Sequence, residues 1–446
     1  MRAFLQDSSS SSSTRRRKAQ FRSWLAAVAV AVLLAALATG TASAATPTTM
    51  GADDPTVIND WNALATTTLA GDTTKAPPDH VLYMAFVHAA VYDAVVGVEG
   101  RYEPYSFHAR ARRGTSVQAA AVAAAHKVLV TYVPTAQAAL DSAYAASLSQ
   151  LPDGRAKTRG IAFGTRAANH LIRLRAQDGR NDPSILFTQQ PAPGVWRPTP
   201  PALAPMVDPW MGFVTPLLVH SPTQFAPPPP PALTSARYTR DFNEVKALGS
   251  ANSTERTAAQ TSTALFYSGL ANVQFQAVLR DQVAVRDLDI VDAARMFAAA
   301  NMSTADTIIS VWYTKYVDGF WRPSTAINLA DTDGNPATDP DPSWMPFRPN
   351  PAYPDYPSGY NGLAAAMTRA LEKVFHTRRL QLTVTSTAVP DVRHYNSGRA
   401  LRQDVVDGRM LLGIHFRFAD TAARDIGVRL TDWTLDHYFQ PLHRHK

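Results

Sequence analysis

Cysteine is absent from all 446 residues. Disulfides, thiol nucleophiles and cysteine-ligated metal sites are therefore excluded, and stability must rest on the core. Excess charge is scarce as well. Of the formal +7, a net five lies in residues 1–44, where Arg2, Arg15, Arg16, Arg17, Lys18 and Arg22 face only Asp7; the rest of the chain carries about two. That is too little to bind nucleic acid by bulk attraction. Strand signals are few and no internal repeat is evident. Beyond the N-terminus no apolar run reads as long enough to cross a bilayer.

What is present is a globular composition, 46% hydrophobic and 18% charged, in a chain long enough for a large core. The N-terminus has the parts of an export signal: a basic segment at 15–18, an apolar stretch over 25–38, and Ala42-Ser43-Ala44 as a cleavage site. A secreted chain starting near Ala45 is expected, without a stable membrane span. Apolar residues at helical spacing predict helices over 55–69, 79–98, 116–133, 135–151 and 156–177. After a break they resume over 238–247, 254–267, 272–286, 292–316, 363–375, 397–412 and 420–438. Only 381–387 reads as extended. The expected class is all-α, a multi-helix bundle of two packed halves, 45–235 and 236–446. Its alanine-rich packing suits a homodimer, though no segment names the interface.

Between the halves, 183–231 is rich in proline and holds Trp196 and Trp210. A loop of this length is expected to be an ordered wrap with a role at an entrance. Two polar groupings read as structural. His88 and Asp93 are five apart and do not share a helix face. Asp331, Asp333 and Asn335 resemble the start of a calcium loop but lack its closing glutamate.

The stretch that organises the chain is Tyr353-Pro354-Asp355-Tyr356-Pro357-Ser358-Gly359-Tyr360, which leads into the helix over 363–375. Pro357 favours an extended approach, and Ser358 is placed to cap the helix. Such a helix mouth presents N–H groups and a positive dipole end to an anion. Basic residues that could converge on it lie in two other segments. Lys315 and Arg322 are seven apart, nearly two helical turns, with Gly319 and Pro323 loosening the end so that Arg322 turns inward. Arg409 and His415 are six apart and could meet only if the helix breaks at Gly413. Asp420, just beyond, is expected to hold one ring nitrogen of His415.

The pattern Lys-x6-Arg-Pro, Pro-Ser-Gly-x and Arg-x5-His resembles the active-site signature of the superfamily that joins vanadium-dependent haloperoxidases with type 2 phosphatidic-acid phosphatases and bacterial acid phosphatases. Gly413-Ile414-His415-Phe416-Arg417-Phe418-Ala419-Asp420 favours the haloperoxidase-like bacterial branch. The resemblance implies a vanadate cofactor, with phosphate able to take the same place. His415 would attach it; Lys315, Arg322 and Arg409 would clamp its oxygens; Ser358 and the Gly359 N–H would add hydrogen bonds. The implied substrates are hydrogen peroxide and halide, or a phosphate ester if the chain is instead a phosphatase with a phosphohistidine at His415. One position departs from the pattern. The family usually has histidine after Ser-Gly, as its acid–base group, and here Tyr360 stands there. A phenol with a reference pKa of about 10 donates a hydrogen bond but is a poor base near neutrality. A binding protein with little turnover is the third reading. Tyr353 is expected to line the halide approach.

Overall fold

The structure, a computed structural model, describes residues 54–442. The export signal expected over 1–44 lies outside them. Helices dominate, and among the described residues the strands form one short hairpin. The first half holds α1 (Thr56–Gly71), α2 (Pro77–Glu99), α3 (Val117–Tyr132), α4 (Gln137–Ser149) and α5 (Arg155–Leu174). The second holds α6 (Ala236–Leu248), α7 (Ala258–Phe266), α8 (Ala271–Val285), α9 (Ile290–Asp318), the short α10 (Pro323–Asn328), α11 (Gly359–Val374), α12 (Gly398–Leu411) and α13 (Arg417–His437).

The axis is α9, at 29 residues. It packs against α2, α11 and α13, so one apolar core runs through both halves. Its cap is Asp289 rather than the expected Asp292; the Asp289 carboxylate accepts the N–H groups of Val291 and Asp292, which adds a turn. It ends where Gly319 turns left-handed at φ +53°.

One expectation fails at α2. Pro77–Glu99 is long and apolar enough to cross a membrane. It is instead a core helix, buried from Pro78 to Gly97. Its polar residues hide its apolar character in the sequence and are mostly satisfied inside. Asp93 accepts the N–H groups of Tyr105, Ser106 and Phe107. His88 bonds Asn62 at 2.9 Å and stacks on Phe297.

The proline-rich wrap is ordered and sewn to the site. Trp196 N–H donates to Gly319, Trp321 N–H to Gly194, and Val207 N–H to Ala352. The buried carboxylate of Asp306, in the middle of α9, accepts the N–H groups of Leu217, Leu218 and Val219 at 2.6–2.9 Å. The strand expected over 381–387 is present as β1 (Leu382–Thr385), paired antiparallel with β2 (Val392–Tyr395). Asp333 closes a turn through Asn335 N–H and the Thr338 hydroxyl, structural turn chemistry rather than a cation loop.

Candidate active site

Four segments meet below the mouth of α11. The end of α9 supplies Lys315, and the extended residues after Gly319 carry Arg322. Both side chains are 0% exposed. The loop before α11 folds over them and turns its carbonyls inward. Lys315 Nζ donates to Pro354 O at 2.6 Å and Asp355 O at 3.0 Å, leaving its third hydrogen uncommitted. Arg322 donates from Nε to Tyr353 O and from Nη1 to Ile414 O. The Tyr353 ring lies 4.9 Å from both cations.

The helix break expected at Gly413 is present. α12 ends at Leu411, and Gly413 takes φ +76° with its α-carbon pressed against Gly249 O, where a Cβ would overlap. The turn brings His415 back under Arg322, whose Nη1 stands 3.4 Å from His415 Nδ1. Arg409 lies over the Tyr360 ring at 4.6 Å and donates from Nη1 to Tyr267 O.

The partner of His415 is not Asp420. Asp355 Oδ1 lies 2.6 Å from His415 Nδ1 and is itself fully buried. Asp420 misses because α13 begins at Arg417, so the first helical turn carries Asp420 to the other side of the helix mouth. There Asn361 Nδ2 bridges Asp420 Oδ1 at 2.7 Å and Ser358 Oγ at 3.3 Å. Ser358 stands at the cap position of α11 but makes no side-chain cap bond. Asp355 was legible as an acid between two prolines, three residues before the helix mouth; Asn361 and Asp306 carried no such signal.

Burial and mutual repulsion set the electrostatics. Burial first, then Arg322, push Lys315 well below its ordinary range. Burial and the three cations hold His415 neutral. Burial lifts Asp355 to about 7 against the pull of Arg322 and Lys315. Burial also raises Asp420 well above the carboxylate range, with Asp355 adding to it. A neutral imidazole with Nδ1–H on Asp355 leaves Nε2 as its free lone pair.

Beside this cluster opens a cleft of about 340 Å³, lined by Trp312, Tyr353, Gly359, Tyr360, Arg409 and Ile414 among others. Gly359 is required here, since a Cβ would meet the Trp312 ring at 2.9 Å.

Residues 295–444 match the family described as VCPO second helical-bundle domain. A vanadium chloroperoxidase of Curvularia inaequalis is 24% identical over 295 residues, 50% of this chain and 48% of that one. The match thus spans about half of that curated relative. A solved bacterial vanadium-dependent iodoperoxidase superposes with a TM-score of 0.77 at 22% identity, covering 89% of this chain and 99% of the other. A bacterial vanadium-dependent chloroperoxidase does so at 0.66 and 18%, covering 87% and 98%. By fold this chain is similar to these solved haloperoxidases, and residues 295–444 match the second helical-bundle domain.

The residues present fit a tetrahedral oxyanion. Arg409 Nε is buried without a partner. Lys315, Arg322 and Arg409 converge in a place where burial disfavours the charged forms of both nearby carboxylates. An anion there would relieve the repulsion among the cations. Tyr360 is the exception among the haloperoxidase-type positions. Its hydroxyl donates to Gln274 Oε1, and burial raises it beyond its ordinary value despite Arg409. It therefore holds a hydrogen bond and does not serve as a base.

Proposed function

We propose that this chain is an exported vanadate-dependent haloperoxidase that oxidises a halide with hydrogen peroxide. The observation that carries the reading is the buried convergence of Lys315, Arg322, Arg409 and His415, with Arg409 Nε left open toward the site. When bound, vanadate supplies a Lewis acid that activates hydrogen peroxide for attack by halide, with no change in its own oxidation state.

The chain's residues have separable tasks. Asp355 accepts the Nδ1 proton of His415 and so directs Nε2 to the cofactor. Arg322 and Arg409 bind oxyanion oxygens through planar N–H forks, and Lys315 adds a point charge. The carbonyls of residues 353–355 hold Lys315 and Arg322 in place before any ligand arrives, so binding costs little reorganisation. Tyr353 and Trp312, 5.0 Å apart between ring centres, form an aromatic wall by which halide would approach.

The phosphatase reading asks for an acid to protonate the leaving oxygen, and Tyr360 is engaged by Gln274. The assay compares halide oxidation with and without added vanadate, beside phosphate release from an aryl phosphate. Vanadate-dependent halide oxidation supports the reading. Phosphate release without it would replace the reading with the phosphatase one, and vanadate binding without either turnover would leave a binding protein.

A further inference from the structure

His80 lies in the first turns of α2, in the N-terminal half, and faces the same cleft as Tyr360 and Arg409. It is only 4% exposed, and neither ring nitrogen makes a well-formed hydrogen bond, the Lys75 carbonyl being its one close acceptor among the described residues. Burying a polar ring without a well-formed hydrogen bond is unfavourable, so its position calls for a reason. His88, eight residues on in the same helix, shows what a structural histidine looks like here: bonded to Asn62 and stacked on a phenylalanine.

Three other lining groups are also open: Asn272 Nδ2 and Arg409 Nε, which only donate, and the amide oxygen Asn350 Oδ1, which accepts but does not titrate. Among the described residues no aspartate or glutamate lines the cleft. Of these, His80 is thus the one lining side chain that can take up and release a proton near neutrality. We propose that His80 is the acid–base residue of this cleft, handling the proton of hydrogen peroxide in place of the group that Tyr360 cannot supply.

The inference rests on the peroxidase reading. Peroxide must shed a proton to act as a nucleophile, and His80 takes it on a free ring nitrogen. The halide then gives two electrons to the O–O bond, and the oxygen that leaves as water recovers the proton from His80. Halide, peroxide and one solvent proton become hypohalous acid and water. The surroundings keep the ring ready to accept. Burial holds it below the ordinary imidazole value and Lys75 lowers it further, while the Lys75 carbonyl and Asp72 pull the other way. The charged groups on the cleft, Arg348 and Arg409, are both cations and favour the neutral ring.

The test uses the full chain labelled in its histidines. Bound vanadate brings negative charge near the ring, so the His80 pKa, followed by NMR and assigned against His80→Gln, should rise by about one unit on saturation. His80→Gln should lower kcat/KM for peroxide roughly a hundredfold and remove the limb of the pH profile that tracks that pKa. Its vanadate affinity should stay within about twofold of wild type, since the clamp is untouched. Vanadate binding with an unmoved His80 ring, or an unaltered pH profile in His80→Gln, would overturn the proposal alone. Failure of wild type to bind vanadate would overturn it together with the functional reading.

Discussion

Asp355 and Asp420 are both fully buried acids near the same imidazole, yet only Asp355 touches it. Asp355→Asn should therefore weaken vanadate binding by roughly 10–100-fold, the usual cost of losing a carboxylate behind a liganding histidine. Asp420→Asn, which keeps a partner for Asn361, should shift that affinity far less; equilibrium dialysis with vanadate separates the two. Tyr360→His should raise peroxidase or phosphatase turnover, read in the same two assays, by restoring an imidazole beside Arg409. A sharp fall would show that Tyr360 and its Gln274 bond are an adapted pair. The cationic residues and His415 were legible because their order and spacing form a pattern. Asp355 is not legible as the partner, because Asp420 lies much nearer to His415 in sequence. Sequence distance misleads here: the loop that carries Asp355 folds back across some 60 residues.

At the scale of elements, the boundaries follow caps and close contacts. α9 starts at Asp289 because that carboxylate takes two N–H groups, a choice that neighbouring acids at 287, 289 and 292 leave ambiguous in the sequence. β2 leaves no strand signal in the sequence, since its partly exposed residues gain their register only from β1. Glycine marks the tight crossings. In α5, Gly164 lies so near the backbone of α3 that a Cβ would overlap Ala120 O, which cannot move without the helix. Gly164→Ala should destabilise the fold by about 2–3 kcal/mol through that overlap, measurable by urea unfolding. Gly154→Ala is no control, because that residue has φ +131°; Gly71→Ala, with open space around it, is one.

For the whole molecule, the wrap ties the first half, α9 and the site loop into one unit, which is why a proline-rich segment with only one short 3-10 helix, Pro209–Phe213, is ordered. Its fold class was readable from periodicity, whereas the wrap's course was not, because it depends on single long-range bonds such as those to Asp306. The wrap also brings Asp208 toward Asp79. Burial, with Asp79 adding to it, raises Asp208 to about 7. A carboxyl whose folded value lies above its unfolded value loses stability as pH rises between the two. Asp208→Asn should therefore gain stability over wild type progressively from about pH 4 to 7 and hold that gain above, reaching about 1–2 kcal/mol after allowance for partial solvent contact. Asn suits the left-handed backbone there, φ +48°. Thermal melts of both proteins across that range would show it, and a constant gap would contradict it. The proposed chemistry depends on one buried cradle for a tetrahedral oxyanion. Its most direct test is calorimetric titration of vanadate into the wild-type chain and into His415→Ala. One site per chain, displaced by phosphate and lost in His415→Ala, is the predicted result; no saturable binding to the wild type, or equal binding to both, would contradict it.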